Sequence, residues 1–231
     1  MLFEVSGICK RFGRIAALSD VSFQVREGEV LGLIGPNGAG KTTLLECLAG
    51  VLPSDSGAVS PRDFSSRLFY VPDGIAPWPS QPVDWALDFT IGFFGGRAER
   101  RDEVIEQLDL RPLLRQSIGT LSKGQRKRAL LAIGLLTPQP VLLIDEPFDG
   151  LDLRQGREIA AALRRHAARG RTLFLSIHQI GDAGRFCDRF VLLSGGRVCG
   201  EGTVADLAAL ARARDASAVY GNMEEVFLAL T

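Results

Sequence analysis

A strand-like apolar run, Val30 to Ile34, leads straight into Gly35-Pro36-Asn37-Gly38-Ala39-Gly40-Lys41-Thr42-Thr43, and a helix-like stretch, Leu44 to Gly50, follows at once. Strand, glycine-rich loop and helix in that order form the phosphate-loop pattern, which constrains this chain more than any other feature. Gly35, Gly38 and Gly40 let the backbone turn with its N–H groups converging on phosphate oxygens, where a side chain would block the approach. Lys41 adds a cation for the outer phosphates, and Thr42 offers a hydroxyl to Mg²⁺. The helix that follows points its positive dipole end at the same anion. The pattern therefore predicts binding of a nucleoside triphosphate with magnesium.

The bulk composition narrows the alternatives. The 231 residues carry 27 basic and 27 acidic side chains, so the net charge is zero and no electrostatic footprint for nucleic acid is present. Cys9, Cys47, Cys187 and Cys199 are scattered without a Cys-x-x-Cys pair, which argues against zinc and against a disulfide framework. They read as reduced, mostly buried thiols of a cytosolic protein. The longest apolar stretch, Ala129 to Leu136, falls well short of the roughly 20 residues a spanning helix needs. The start, Met1-Leu2-Phe3-Glu4-Val5, runs directly into strand-like alternation and shows no signal peptide.

Along the chain, Phe3 to Cys9 and Val21 to Val25 read as β-strands forming an antiparallel flank, with a turn at Lys10 to Arg14. Pro53 to Gly57 reads as a turn, Arg67 to Val71 as a strand and Pro72 to Pro82 as a loop. Val83 to Phe94 and Ala98 to Leu108 then read as helices, a helical subdomain inserted in the middle. From Val141 the alternation of strand and helix resumes: strand to Ile144, helix Leu153 to Ala168, strand Thr172 to Ile177, short helix Gln179 to Phe186 and strand Phe190 to Leu193. The tail adds a strand-like piece at Arg197 to Cys199 and helices Val204 to Arg212 and Met223 to Leu230. This order predicts an α/β fold, a P-loop NTPase core with a mainly parallel sheet. One domain spans 1–231, with core segments 1–71 and 137–231 and an inserted segment 72–136.

Val141-Leu142-Leu143-Ile144-Asp145-Glu146 is a buried-type strand that brings two carboxylates to the edge where open α/β sheets bind ligands. Asp145 is expected to hold Mg²⁺. Glu146, pointing the opposite way along the strand, is expected to act as the general base on water. Leu121-Ser122-Lys123-Gly124-Gln125 precedes the apolar helix Ala129 to Leu136, with Ser122 and Gln125 spaced as a capping box.

Those five residues resemble the signature motif of ATP-binding cassette (ABC) ATPases, usually Leu-Ser-Gly-Gly-Gln, with Lys123 the one departure. The order of motifs over nearly the whole chain is similar to that of an ABC nucleotide-binding domain, most of all the ATPase subunits of two-component exporters. The resemblance implies ATP and Mg²⁺ as ligands. It implies ATP contacts from Gly35, Pro36, Asn37, Gly38, Ala39, Gly40, Lys41, Thr42 and Thr43, and adenine stacking on Phe12. Thr42 and Asp145 would hold the metal. His178, after the strand Thr172 to Ile177, matches the switch histidine beside Glu146. Asp149-Gly150-Leu151-Asp152 matches the loop that crosses to the partner, with Asp152 its anchor. Where the family usually has glutamine, this chain has Pro72-Asp73-Gly74, as some exporters of the family carry an acid there. Asp73 is thus a candidate at the metal, and a simple β-turn explains the same residues equally well.

In the family, signature and phosphate loop meet only across a dimer. Ser122, Gly124 and Gln125 would therefore reach in trans to ATP on a second ATPase subunit, identical or different. The loop 73–82 and the aromatic helix after it, with Trp78, Trp85 and Phe89, correspond to the surface that receives an integral membrane permease on a separate chain; most of these aromatics are expected to pack internally. The implied location is the cytoplasmic face of the cell membrane, and the implied activity is Mg-dependent ATP hydrolysis driving export, with no nucleic acid partner. A soluble ABC ATPase and a nucleotide-gated binding module are the alternatives.

Overall fold

The computed structural model describes residues 1–178, 184, 186–214 and 220–231. Among the described residues nine strands form two sheets. β1 (Phe3–Phe12) pairs antiparallel with β2 (Ile15–Val25) and, on its other side, with β4 (Ser56–Ser60). The larger sheet has the order β5-β6-β7-β3-β8-β9, made of β5 (Leu68–Val71), β6 (Val141–Ile144), β7 (Thr172–Ile177), β3 (Val30–Ile34), β8 (Arg189–Ser194) and β9 (Arg197–Gly202). Its first five strands are parallel and β9 closes one edge antiparallel.

The central strands are apolar on both faces because both faces are covered. Leu31, Leu33, Leu143, Phe174 and Val191 point into a core shared with the antiparallel sheet (Phe3, Val5, Phe23) and with α1 (Lys41–Leu48). Val30, Ile34, Leu142, Ile144, Leu173 and Leu175 point into the opposite core. There they meet α2 (Val83–Phe94), α3 (Ala98–Gln107), α4 (Lys123–Leu136), α5 (Leu153–Ala168), α6 (Val204–Arg214) and α7 (Met223–Leu230). The inserted helices therefore share a core with the main sheet: Val83, Leu87 and Val104 belong to the same cluster as Leu142 and Ile144.

Several sequence expectations are corrected. β1 and β2 run on to a tight turn at Gly13 and Arg14, so Phe12 ends a strand and Lys10 lies within one. The helix after the phosphate loop begins at Lys41 instead of Leu44, because Gly40, at φ 103°, is itself the N-cap and leaves Lys41, Thr42 and Thr43 on the first turn. β4 occupies part of the expected turn; Ser-Gly-Ala-Val-Ser carries little alternation, and edge pairing to β1 supplies what propensity does not. Of the four thiols only Cys187 is fully buried, and Cys9, Cys47 and Cys199 are half-buried. All four are free. The expected helix over Gln179 to Phe186 falls on 179–183 and 185, outside the described residues.

Candidate nucleotide site

The phosphate loop leaves β3 at the C-terminal edge of the parallel sheet, beside the ends of β6 and β7. Gly35 is pressed against β8: a Cβ there would lie 2.3 Å from the Leu193 carbonyl oxygen. A Cβ on Gly40 would lie 2.6 Å from the Ala17 carbonyl. Gly38 faces open space at φ 80°. The loop is thus packed tightly beneath and open above, as a cradle for an anion must be.

Lys41 is buried, and its ammonium donates to the carbonyls of Gly35 (2.8 Å) and Pro36 (3.4 Å). It also lies 3.6 Å from Glu146 Oε1. The Thr42 hydroxyl donates to Asp145 Oδ2 at 2.8 Å, while Ser176 Oγ donates to Asp145 Oδ1 and accepts from the Glu146 N–H at 2.8 Å. The Asp145 N–H in turn donates to the Val71 carbonyl at 2.9 Å, which fixes the end of β6 against β5. Thr42 and Asp145 place two hard oxygen donors side by side, the donor type Mg²⁺ prefers.

Glu146 corrects the expected geometry. β6 ends at Ile144, and Glu146 adopts a left-handed backbone with φ 49°, a costly conformation for a non-glycine residue. The turn carries Glu146 back toward the phosphate loop, so both carboxylates face it, one on Thr42 and one on Lys41. Burial raises the Glu146 pKa above the ordinary 4.5; Lys41 opposes that rise, Asp145 adds to it, and His178 opposes it. An acid tuned upward and kept beside a cation suits a proton acceptor near the site. His178 is exposed at the end of β7 and close enough for its charge to be felt at Glu146.

The signature residues form the capping box that their spacing predicts. Ser122 Oγ accepts from the Gln125 N–H (3.3 Å), and Gln125 Oε1 accepts from the Ser122 N–H (2.9 Å). Gly124 lies against the 149–152 loop, where a Cβ would come 3.0 Å from the Gly150 carbonyl; Lys123 pairs with Asp149. Asp152 caps α5 through Gln155 N–H at 2.8 Å. Among the described residues no hydrogen bond or ion pair joins the signature to the phosphate loop of the same chain. Phe12 is 49% exposed at the tip of β1, with the Lys10 ammonium 5.8 Å from its ring centre.

Asp73 forms an ion pair with Lys127 of α4, a residue the sequence reading did not single out. Ser176 was missed as well. Each had a signal: a hydroxyl at the loop-side end of an otherwise apolar strand, and a lysine within a helix buried along most of its length. The aromatics after Asp73 do not pack internally. Trp78, Trp85, Phe89 and Phe93 are exposed and lie against one another, with ring centres 5.6 Å apart for Trp78–Trp85 and 5.2 Å for Trp85–Phe89.

A phosphate loop, paired carboxylates at the end of β6 and a capped signature helix define a P-loop NTPase of the cassette type. The ABC transporter family model matches residues 18–149. The chain is 30% identical to an uncharacterised ABC transporter ATP-binding protein of Methanocaldococcus jannaschii, over 88% of this chain and 78% of that protein. It is 33% identical to the Nod factor export ATP-binding protein I of Rhizobium etli, over 88% of this chain and 69% of the relative. It is also 33% identical to the hemin import ATP-binding protein of Bradyrhizobium diazoefficiens, over 93% and 87%. A solved ATP-binding subunit of an ABC transporter superposes with a TM-score of 0.86 at 26% identity, covering 100% of this chain and 99% of that one. The chain belongs to the ABC transporter family.

Proposed function

We propose that this chain is the ATP-hydrolysing subunit of a membrane exporter, working as one of two cassettes that share two ATP sites. The observation that carries the reading is the convergence at one sheet edge of Lys41 with Glu146 and of Thr42 with Asp145. The loop N–H groups and Lys41 receive the phosphates. Thr42 and Asp145 hold Mg²⁺, which when bound neutralises charge on the phosphate oxygens. Lys41 leaves its carbonyl and carboxylate partners for the phosphates, which frees Glu146 to orient water and accept its proton. His178 steadies that arrangement, and Phe12 offers its exposed ring to the adenine.

Within one chain the signature faces its own 149–152 loop and, among the described residues, has no partner at the phosphate loop, which supports a head-to-tail pair. Ser122, Gly124 and Gln125 of one subunit then close on the nucleotide of the other, bringing the N-terminus of α4 to the γ-phosphate. Hydrolysis removes the anion that held the pair shut.

No helix among the described residues is long and apolar enough to cross a membrane. The partner is an integral membrane permease on a separate chain, and the exposed Trp78–Trp85–Phe89–Phe93 surface is where it docks. Relatives named for Nod factor export and doxorubicin resistance support the exporter reading, and the hemin importer among the relatives makes direction the point to test. Recovery of the protein from native membranes in mild detergent, with identification of its companions, tests the assignment. An integral permease is expected. Ribosomes or DNA in its place refute it.

A further inference from the structure

Lys127 is only 3% exposed, yet it is a lysine in the second turn of the helix that the signature begins. A buried ammonium is expensive unless it is paired. Here it is paired twice, with Asp73 Oδ1 and with the backbone carbonyl of Asp145 at 3.4 Å. One cation thereby touches three parts of the molecule: the loop after β5, the end of the carboxylate strand and α4. Asp73 Oδ2 carries no hydrogen bond among the described residues, and the Asp73 side chain remains 30% exposed.

The buried ammonium needs a carboxylate, and Asp73 supplies it, while the backbone carbonyl of Asp145 takes a second bond at the end of the carboxylate strand. Lys127 thereby fixes one oxygen of Asp73. It also fixes the loop that leads, within a few residues, to Trp78, whose backbone is held at φ 48°.

We propose that Lys127 is a positioning residue. By clamping Asp73 Oδ1 to the end of the carboxylate strand, it presents the other carboxylate oxygen to the magnesium side of the site and ties the aromatic loop to the signature helix. This rests on the nucleotide-site reading above. It gives the acid at position 73 a specific support, and it makes the two residues a unit: neither does its work without the other.

Trp78 and Trp85 are the only tryptophans in the chain and both follow Asp73 closely, so intrinsic fluorescence of the full-length protein reads the loop directly. A non-hydrolysable ATP analogue is bound first, and Mg²⁺ is then titrated. The wild type is expected to change its tryptophan emission as Mg²⁺ saturates. Lys127→Met, which fills the same buried space without a charge, is expected to lose that change and to need about tenfold more Mg²⁺ for half-saturation, the scale seen for residues that support a metal ligand. The direction is decisive. Removing a nearby positive charge would by itself tighten Mg²⁺, so weaker binding reports lost positioning. Lys127→Arg, which keeps a cation beside Asp73, is expected to retain the emission change, and it guards against a single variant that merely folds poorly. Tighter or unchanged Mg²⁺ binding in Lys127→Met, a retained emission change, or a wild type whose emission ignores Mg²⁺ overturns the proposal. Failure of the wild type to bind the nucleotide analogue instead overturns the nucleotide-site reading itself.

Discussion

Replacing Glu146 by glutamine separates binding from hydrolysis. Glu146 Oε1 lies 3.6 Å from the Lys41 ammonium. At that distance a unit charge pair interacts with about 4 to 5 kcal/mol at an effective dielectric constant near 20, and partial solvent access lowers the figure further. In the nucleotide-free protein this attraction competes with the phosphates for Lys41. If a quarter of it opposes binding, about 1 kcal/mol is recovered in the Gln variant, and ATP binds about fivefold more tightly. Loss of the proton acceptor meanwhile lowers the hydrolysis rate by about 10²- to 10⁴-fold. Displacement of a fluorescent ATP analogue measures the first effect, and single-turnover phosphate release, with the membrane partner present, measures the second. A variant that hydrolyses ATP as fast as wild type refutes the role of Glu146. A variant that binds ATP much more weakly refutes the competition for Lys41.

Three further outcomes follow from the packing. Gly35→Ala places a methyl 2.3 Å from the Leu193 carbonyl and is expected to destabilise the fold by about 1 to 3 kcal/mol or more in urea denaturation; Gly38→Ala, with open space around it, spares the fold apart from about 1 kcal/mol of backbone strain and weakens nucleotide binding instead. His166, buried among Arg100, Arg169 and Arg171, has its pKa pulled from 6.5 down to about 4, chiefly by burial and then by those cations, so the folded state resists the proton that the unfolded chain accepts. The stability this represents is intact above pH 6.5 and disappears as the pH falls toward 4. The wild type should lose about 2 kcal/mol more than His166→Gln between pH 7.5 and pH 5, by denaturant titration at both values. Replacing Trp85 and Phe89 together by serine should leave nucleotide binding unchanged and abolish co-purification with a membrane partner, since the two rings stack on the surface at 5.2 Å and support no core.

The parts of the fold legible in the sequence are those where burial leaves no choice. β3, β6 and β7 read as continuous apolar runs because both of their faces are covered, and α5 reads from the alternation of strand and helix, while the cap that Asp152 gives it came only with the structure. The site was legible wherever a pattern forces a backbone shape, as at Gly35 to Thr43 and in the Ser122–Gln125 capping box. What escaped depends on tertiary context. β4 exists because β1 offers it an edge. Glu146 turns toward Lys41 through a left-handed residue that strand alternation does not foresee. Lys127 is buried because a carboxylate 54 positions earlier in the chain meets it. The aromatic patch was expected to be interior because large rings usually are, and it stands exposed.

If each ATP site is built from two subunits, the phosphate loop of one and the signature of the other, two proteins defective in different halves must complement each other when mixed. Lys41→Ala loses the phosphate cation and Ser122→Arg blocks the signature, so each alone should be inactive when assembled with the membrane partner. In a mixed pair one site collects both defects and the other is whole. ATP hydrolysis is expected to return in the mixture to a substantial fraction of the wild-type rate. A mixture that stays as inactive as its components would contradict the shared site.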